Sequence, residues 1–193
     1  MRIAVTGNIG CGKSTVCAML AELLPQYAQF SVDDAVRALY SRPDYTAALV
    51  SRFGTSDRRV LSDLVFAQPA LKQELEEFAN SFLLPDLEAA LAQPDVVIEF
   101  PLLFEIGGWA ERFDFVLALG CDDDVQRARV LSRDGITVEK FEQIKAAQLP
   151  TATKAALAHA YVDTGVSLSH VRTQLLAILP RFGLPATELN APE

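Results

Sequence analysis

Cysteine and histidine are scarce in this chain, and their spacing excludes several chemistries at once. The three cysteines, Cys11, Cys17 and Cys121, have neither the paired spacing of a metal site nor the pattern of a disulfide framework. The two histidines, His159 and His170, stand alone without ligand spacing and carry no assigned chemistry. Positive charge is the minority sign: 17 Lys and Arg face 25 Asp and Glu, a formal net charge of -8. That balance argues against general affinity for nucleic acid or an anionic membrane, while leaving room for basic clusters around phosphates. No apolar run is long enough to cross a bilayer. Met1 leads within a few residues into an apolar strand pattern, so no secretory signal is expected and the chain reads as soluble and cytoplasmic. Internal repeats and low-complexity tracts are missing too. What is present is core material. Half of the 193 residues are hydrophobic and spread along the whole length, enough for one α/β domain.

The most informative local signal is GNIGCGKS at Gly7 to Ser14, the full G-x-x-x-x-G-K-S spacing of a phosphate-binding loop. It follows the apolar run Arg2 to Thr6, which predicts a buried strand. It precedes a stretch where Val16, Met19, Leu20, Leu23 and Leu24 recur at helical spacing. Gly7, Gly10 and Gly12 let the backbone turn without Cβ clashes, so N–H groups can converge on phosphate oxygens. The following helix adds the positive end of its dipole. Lys13 supplies a point charge for the β- and γ-phosphates, and the Ser14 hydroxyl can ligate Mg²⁺. The segment Gly7, Asn8, Ile9, Gly10, Cys11, Gly12, Lys13, Ser14 and Thr15 is therefore the candidate ATP site. Cys11 reads as a small loop residue whose thiol pKa Lys13 would lower, which would make it sensitive to oxidation.

Further along, Tyr27 to Val32 predicts a second strand, and 33–40 and 44–53 predict helices separated by Pro43. Leu61, Leu64, Val65 and Phe66 form a helical stripe. A long helical pattern runs from Pro69 to about Leu91, with Pro85 expected to kink or restart it. Strands are predicted at 95–100, 113–119 and 160–163. Helices are predicted up to about Arg133, at 138–148 and at 168–179, with a tail after Pro180. Alternating strands and helices imply a parallel sheet covered on both faces. The mostly helical stretch 36–93 is too long for a plain crossover and predicts a helical substrate-binding insertion.

Charged residues at element ends are the remaining candidates. Asp33 follows the second strand, where α/β proteins place functional groups; it could equally cap the next helix, a job Asp34 could also take. The second strand is expected to lie beside the phosphate loop. Glu99 ends the Val96-Val97-Ile98 strand, where a carboxylate can sit behind Mg²⁺ or serve as a structural hydrogen-bonding group. Glu105 either orients an arginine or faces water. Arg129 and Arg133 share a helix face and either pair with surface acids or clamp phosphates. Asp122-Asp123-Asp124 reads as a helix N-terminus favoured by the dipole rather than as a metal site.

Five ordered segments give the chain a family resemblance. They are TGNIGCGKSTV at Thr6 to Val16, Asp33-x-x-x-Arg37, and Asp57-Arg58-Arg59-Val60-Leu61 with Phe66 following. After them come Pro101-Leu102-Leu103-Phe104-Glu105, and Gln126-x-x-Arg129-x-x-x-Arg133 with Ala147-Gln148 downstream. Together they resemble the dephospho-coenzyme A kinase family from about Arg2 to Leu179. The resemblance implies an α/β P-loop kinase three-layer fold with a parallel central sheet, a helical substrate-binding insertion and a lid. It implies one domain over 1–193, with its core at about 1–35 and 94–180, the insertion at about 36–93 and the lid at about 129–150. The implied reaction phosphorylates the ribose 3′-hydroxyl of dephospho-coenzyme A with ATP and Mg²⁺. Asp33, Lys13 and Arg129 are its implied catalytic residues, and Arg133 joins the loop in holding ATP. Arg37, Arg58, Pro101, Leu102 and Glu105 are implied on the acceptor side, and Ser14 and Glu99 at the metal. The only partner implied is a small-molecule substrate, with neither nucleic acid nor membrane; oligomeric state is left open. The chain departs from the family pattern at Ser31-Val32-Asp33, where Asp-Ala-Asp is usual, at Asn80-Ser81 and at Asp163-Thr164. Two other readings stay open: a kinase for a nucleotide or another small molecule, and a non-catalytic nucleotide-binding module.

Overall fold

The computed structural model describes residues 1–134 and 136–184, without the side chains of 66, 67, 69, 133 and 134. Among these residues, five strands form one sheet in the order β2-β3-β1-β4-β5. They are β1 (Arg2–Gly7), β2 (Ala28–Ser31), β3 (Val96–Glu99), β4 (Phe115–Gly120) and β5 (Ala160–Asp163). β1 runs parallel to β3 and β4, and β4 runs parallel to β5. β3 and β4 are buried at every position and β1 from Ile3 onward, which is why they read as unbroken apolar runs rather than alternating ones. Ile3, Val5, Leu117 and Leu119 meet Val16, Leu20 and Leu23 of helix α1 (Lys13–Leu23) in one core with Val171 and Leu175 of a later helix.

The expectation that the second strand lies beside the phosphate loop is corrected by the sheet order. β3 stands between β2 and β1, so the carboxylate on the strand next to the loop is Glu99. The register sets Val5 opposite Glu99 and Gly7 opposite Leu119, which brings the carboxyl ends of β1, β3 and β4 to one edge. In α/β sheets that edge is where ligands bind.

The chain divides into two compact units, Ser31–Ala92 and the remainder. The smaller holds α2 (Val32–Leu39), α3 (Pro43–Phe53), α4 (Arg58–Ala67) and α5 (Pro69–Leu91). Pro43 opens α3 at a position where its missing N–H costs nothing, and Gly54, with φ of 77°, ends that helix in the left-handed region. α5 continues through Pro85 without restarting. Its Phe78 and Phe82 pack on Tyr45, with ring centroids 5.6 and 5.1 Å away.

The larger unit adds α6 (Asp123–Asp134), α7 (Val138–Ala146), α8 (Thr151–Leu157) and α9 (Leu168–Ile178). Asp123 and Asp124 lie in the first turn of α6. α8 has no counterpart in the sequence reading. The anticipated tail also begins later than Pro180. A 3₁₀ turn covers Leu179–Phe182, the Phe182 ring lies 4.3 Å from that of Phe115, and Leu184 is buried. Among the described residues, no helix is long and apolar enough to cross a membrane.

Candidate active site

The loop between β1 and α1 is shaped by what presses on it. A Cβ at Gly10 would sit 2.6 Å from the Gln126 carbonyl oxygen and 2.8 Å from Val130 Cγ2, so α6 packs directly against the loop. Gly10 and Gly12 also have φ of 77° and 80°, a region that side-chain-bearing residues rarely adopt. Gly12 is the residue preceding α1, so the turn delivers Lys13, Ser14 and Thr15 to the start of that helix.

Each loop residue has a defined partner. Lys13 Nζ donates to the Asn8 carbonyl at 3.2 Å, and the Cys11 N–H donates to the same oxygen at 3.3 Å. The Ser14 hydroxyl donates towards Glu99, lying 3.3 and 3.4 Å from its two carboxylate oxygens. Glu99 itself is buried at the end of β3. The Ile9 N–H donates to Gln148 Oε1 at 2.9 Å, and Asn8 Nδ2 donates to the Leu149 carbonyl at 3.1 Å. Thr164 Oγ1 lies 2.8 Å from the Cys11 carbonyl and 3.0 Å from that of Gly120, bracing the loop from beyond β5.

Arg129 reaches the site from α6. Its Nη2 donates to the Thr164 carbonyl at 2.7 Å, while Nη1 lies 3.5 Å from the Gly10 carbonyl and 3.6 Å from Cys121 Sγ. Arg129 thus lines a cleft of about 350 Å³ together with Gly10, Gly12, Thr15 and Thr164. The side chain of Arg133 lies outside the described residues.

The thiol beside Lys13 behaves opposite to the sequence expectation. Burial pushes the Cys11 thiol above its ordinary pKa, and the lowering influence of Lys13 is the smaller effect. Cys17 is pushed up to about 12, by burial first and the Glu99 charge second. Neither is a ready thiolate, because removing a sulfur anion from water costs more than one neighbouring cation returns.

The segment after β3 is held from within. The Pro101 carbonyl accepts from Thr6 Oγ1 at 3.2 Å and from Lys154 Nζ at 2.8 Å. Glu105 pairs with a lysine where an arginine was expected: its Oε1 is 2.8 Å from Lys154 Nζ and accepts the Leu149 N–H at 2.9 Å. Leu102 is exposed. Sequence reasoning missed Lys154 entirely. The available signal was a single lysine inside the small-residue run Thr151-Ala152-Thr153-Lys154-Ala155-Ala156.

Asp33, Arg37 and Arg58 belong to the smaller unit. The cap of α2 is Ser31, whose Oγ accepts the Asp34 N–H at 3.3 Å, so neither aspartate has that role. Asp33 is exposed in the first turn, and Asp34 pairs with Arg37. Arg58 stacks over the Tyr40 ring at 4.8 Å.

A glycine-turned loop at a helix start, a lysine, a hydroxyl against a carboxylate and an arginine at one edge of a parallel sheet is an arrangement for polyphosphate. The model of the family "Dephospho-CoA kinase" matches residues 1–169. The chain belongs to the dephospho-CoA kinase family. It is 35% identical over 193 residues to the dephospho-CoA kinase of Agrobacterium fabrum, covering 94% of this chain and 97% of that one. It is 39% identical to the dephospho-CoA kinase of Bradyrhizobium diazoefficiens, covering 93% and 94%. A crystal structure of a Thermus thermophilus protein superposes with a TM-score of 0.73 at 31% identity, covering 94% of this chain and 97% of that chain. Shikimate kinase from Acinetobacter baumannii, 15% identical with a TM-score of 0.60 and 93% of both chains covered, shares the fold. Membership in this P-loop kinase family implies use of ATP and Mg²⁺. The oxygen donors of Ser14 and Glu99 suit a hard cation. Among the described residues, no cluster of three or more Asp, Glu, His or Cys side chains could hold a metal by itself.

Proposed function

We propose that this chain transfers the γ-phosphoryl group of ATP to the ribose 3′-hydroxyl of dephospho-CoA, giving CoA and ADP. The single observation that carries the phosphoryl-transfer chemistry is the Ser14–Glu99 pair beside a complete phosphate loop. Family membership supports the choice of acceptor.

In this reading, the loop N–H groups and the start of α1 bind the β-phosphate, and Lys13 leaves the Asn8 carbonyl to reach the β- and γ-phosphates. Ser14, with Glu99 behind it, would hold Mg²⁺, which when bound would supply charge neutralisation for the phosphates. Arg129 turns part of its guanidinium from backbone carbonyls to the transferring group, where charge spreads over three oxygens. Asp33 accepts the hydroxyl proton as the new O–P bond forms and the bond to the β-phosphate oxygen breaks. Two features support Asp33: its carboxylate is exposed, and Ser31 has taken over the cap. Arg37, Arg58, Pro101 and Leu102 are proposed on the acceptor side, within a kinase whose small unit is the acceptor domain. No interaction with nucleic acid or membrane is proposed.

The test is ADP release by purified protein across dephospho-CoA and a panel of nucleoside monophosphates. Strong turnover with dephospho-CoA supports the reading. Strong turnover with a monophosphate and none with dephospho-CoA overturns it.

A further inference from the structure

One buried ammonium group ties together two sides of the phosphate site. Lys154 lies in α8, with a side chain only 1% exposed. Its Nζ donates to the Pro101 carbonyl at 2.8 Å and meets Glu105 Oε1 at 2.8 Å. The Pro101 carbonyl also receives the Thr6 hydroxyl, so this oxygen joins the end of β1 to the residue two beyond Glu99. Glu105 Oε1 also receives the Leu149 N–H, and the Leu149 carbonyl receives Asn8 Nδ2. The adjacent Gln148 takes the Ile9 N–H. Two chains of hydrogen bonds therefore leave Lys154. One runs to the strand end bearing Glu99, and the other to the rim of the loop where the Asn8 carbonyl holds Lys13.

We propose that Lys154 and Glu105 are a positioning pair that holds the rim of the phosphate loop and the Glu99 strand end in register for phosphoryl transfer. The proposal rests on the reading of this site as an ATP site. A buried ion pair is a poor way to gain stability, since apolar residues of the same volume often serve as well or better. Here its product is fixed geometry: each partner is bonded to backbone from a different segment. Burial pushes the Lys154 pKa down, and Glu105 is the strongest influence holding it up. The Lys13 charge adds to the lowering, so Glu105 is the main group opposing it.

The experiment uses Lys154→Met, with Glu105→Gln as the milder variant that keeps an acceptor at the same place. Both are assayed at a temperature where circular dichroism shows them fully folded. Three quantities are read: affinity for a fluorescent Mg-ATP analogue, kcat, and KM for dephospho-CoA. Lys154→Met is expected to weaken nucleotide affinity and lower kcat, each about tenfold, with KM for dephospho-CoA unchanged. Glu105→Gln is expected to show the same pattern at about fivefold, because a neutral acceptor bonds less strongly than a charged one. A folded Lys154→Met with affinity and kcat both within about twofold of wild type would overturn the proposal. If Lys154→Met does not fold, the same result from Glu105→Gln does so. Wild-type protein that binds the analogue but ignores dephospho-CoA would sink the acceptor assignment instead, and the affinity measurements would still decide the positioning role.

Discussion

The Ser14 hydroxyl, in the first turn of α1, and the Glu99 carboxylate, at the end of β3, lie 3.3 Å apart at their closest oxygens. Their meeting follows from register. Val5 is opposite Glu99, so the chain leaving β1 passes over the end of β3 before α1 begins. An acceptor behind the hydroxyl fixes which way its lone pairs point. Ser14→Ala and Glu99→Gln should therefore each raise the Mg²⁺ concentration for half-maximal turnover, by about tenfold to a hundredfold. Titrating free Mg²⁺ at fixed ATP checks this. Superimposable titration curves for both variants would remove the pair from the metal site.

Lys13 and Arg129 both donate to backbone carbonyls, at Asn8 and Thr164. Lys13→Ala should abolish detectable turnover while the fold persists. Arg129→Ala should lower kcat by ~10³-fold if its charge meets the transferring group, and less if it only aids binding. Single-turnover kinetics with separately measured ATP affinity distinguish the two cases. Unchanged turnover and unchanged affinity would leave Arg129 as a brace for Thr164.

Asp33 and Asp34 are adjacent, but their environments differ. Asp34 pairs with Arg37, and its N–H is capped by Ser31, whereas Asp33 is exposed. Asp33→Asn should lower kcat by ~10²–10⁴-fold with ATP binding kept, and Asp34→Asn should cost far less. The opposite ranking would move the base assignment by one residue.

Asp114 offers a test on stability rather than activity. The Arg2 side chain first, and its backbone N–H second, hold the Asp114 carboxyl below the usual carboxylate range. A depressed folded-state pKa gives stability that is fully present above the unfolded value of about 3.9 and is lost as pH falls through the folded value. Asp114→Asn should therefore melt below wild type at neutral pH, and the gap should close in acid. The pair is partly exposed, so the effect is small. A gap of constant size from neutral to strongly acidic pH would contradict it.

The phosphate loop, all five strands and most helices were legible because each is a local pattern. What was not legible depends on distant partners. α8 escaped because its buried face is built around a lysine, which breaks the apolar period that marks a helix; Glu105, 49 positions earlier in the chain, is what makes that burial tolerable. Cys11 was read from its neighbour Lys13, but its pKa is governed by burial, with the more distant Cys121 also raising it. Pro180 read as a terminator, yet in a 3₁₀ turn the chain passes through it and returns Phe182 to the sheet. At α2 the aspartates suggested a cap, but the cap is the serine at the end of β2. The order of strands, and with it which carboxylate stands next to the loop, is a tertiary property that no single segment encodes.

The return of Phe182 and Leu184 has a consequence for where this molecule ends as a physical object. The family match stops at residue 169, before Val171, Leu175, Leu179 and Leu184, all of which lie in the same core as β1 and α1. Cutting the chain at residue 169 would strip the Phe115 side of the sheet and expose the apolar backing of the strands that carry the site. The family model therefore covers less of the chain than its core does. The turns from Leu179 to Leu184 sit in the core beneath the strands, while Leu168 and Val171 of α9 line the cleft itself.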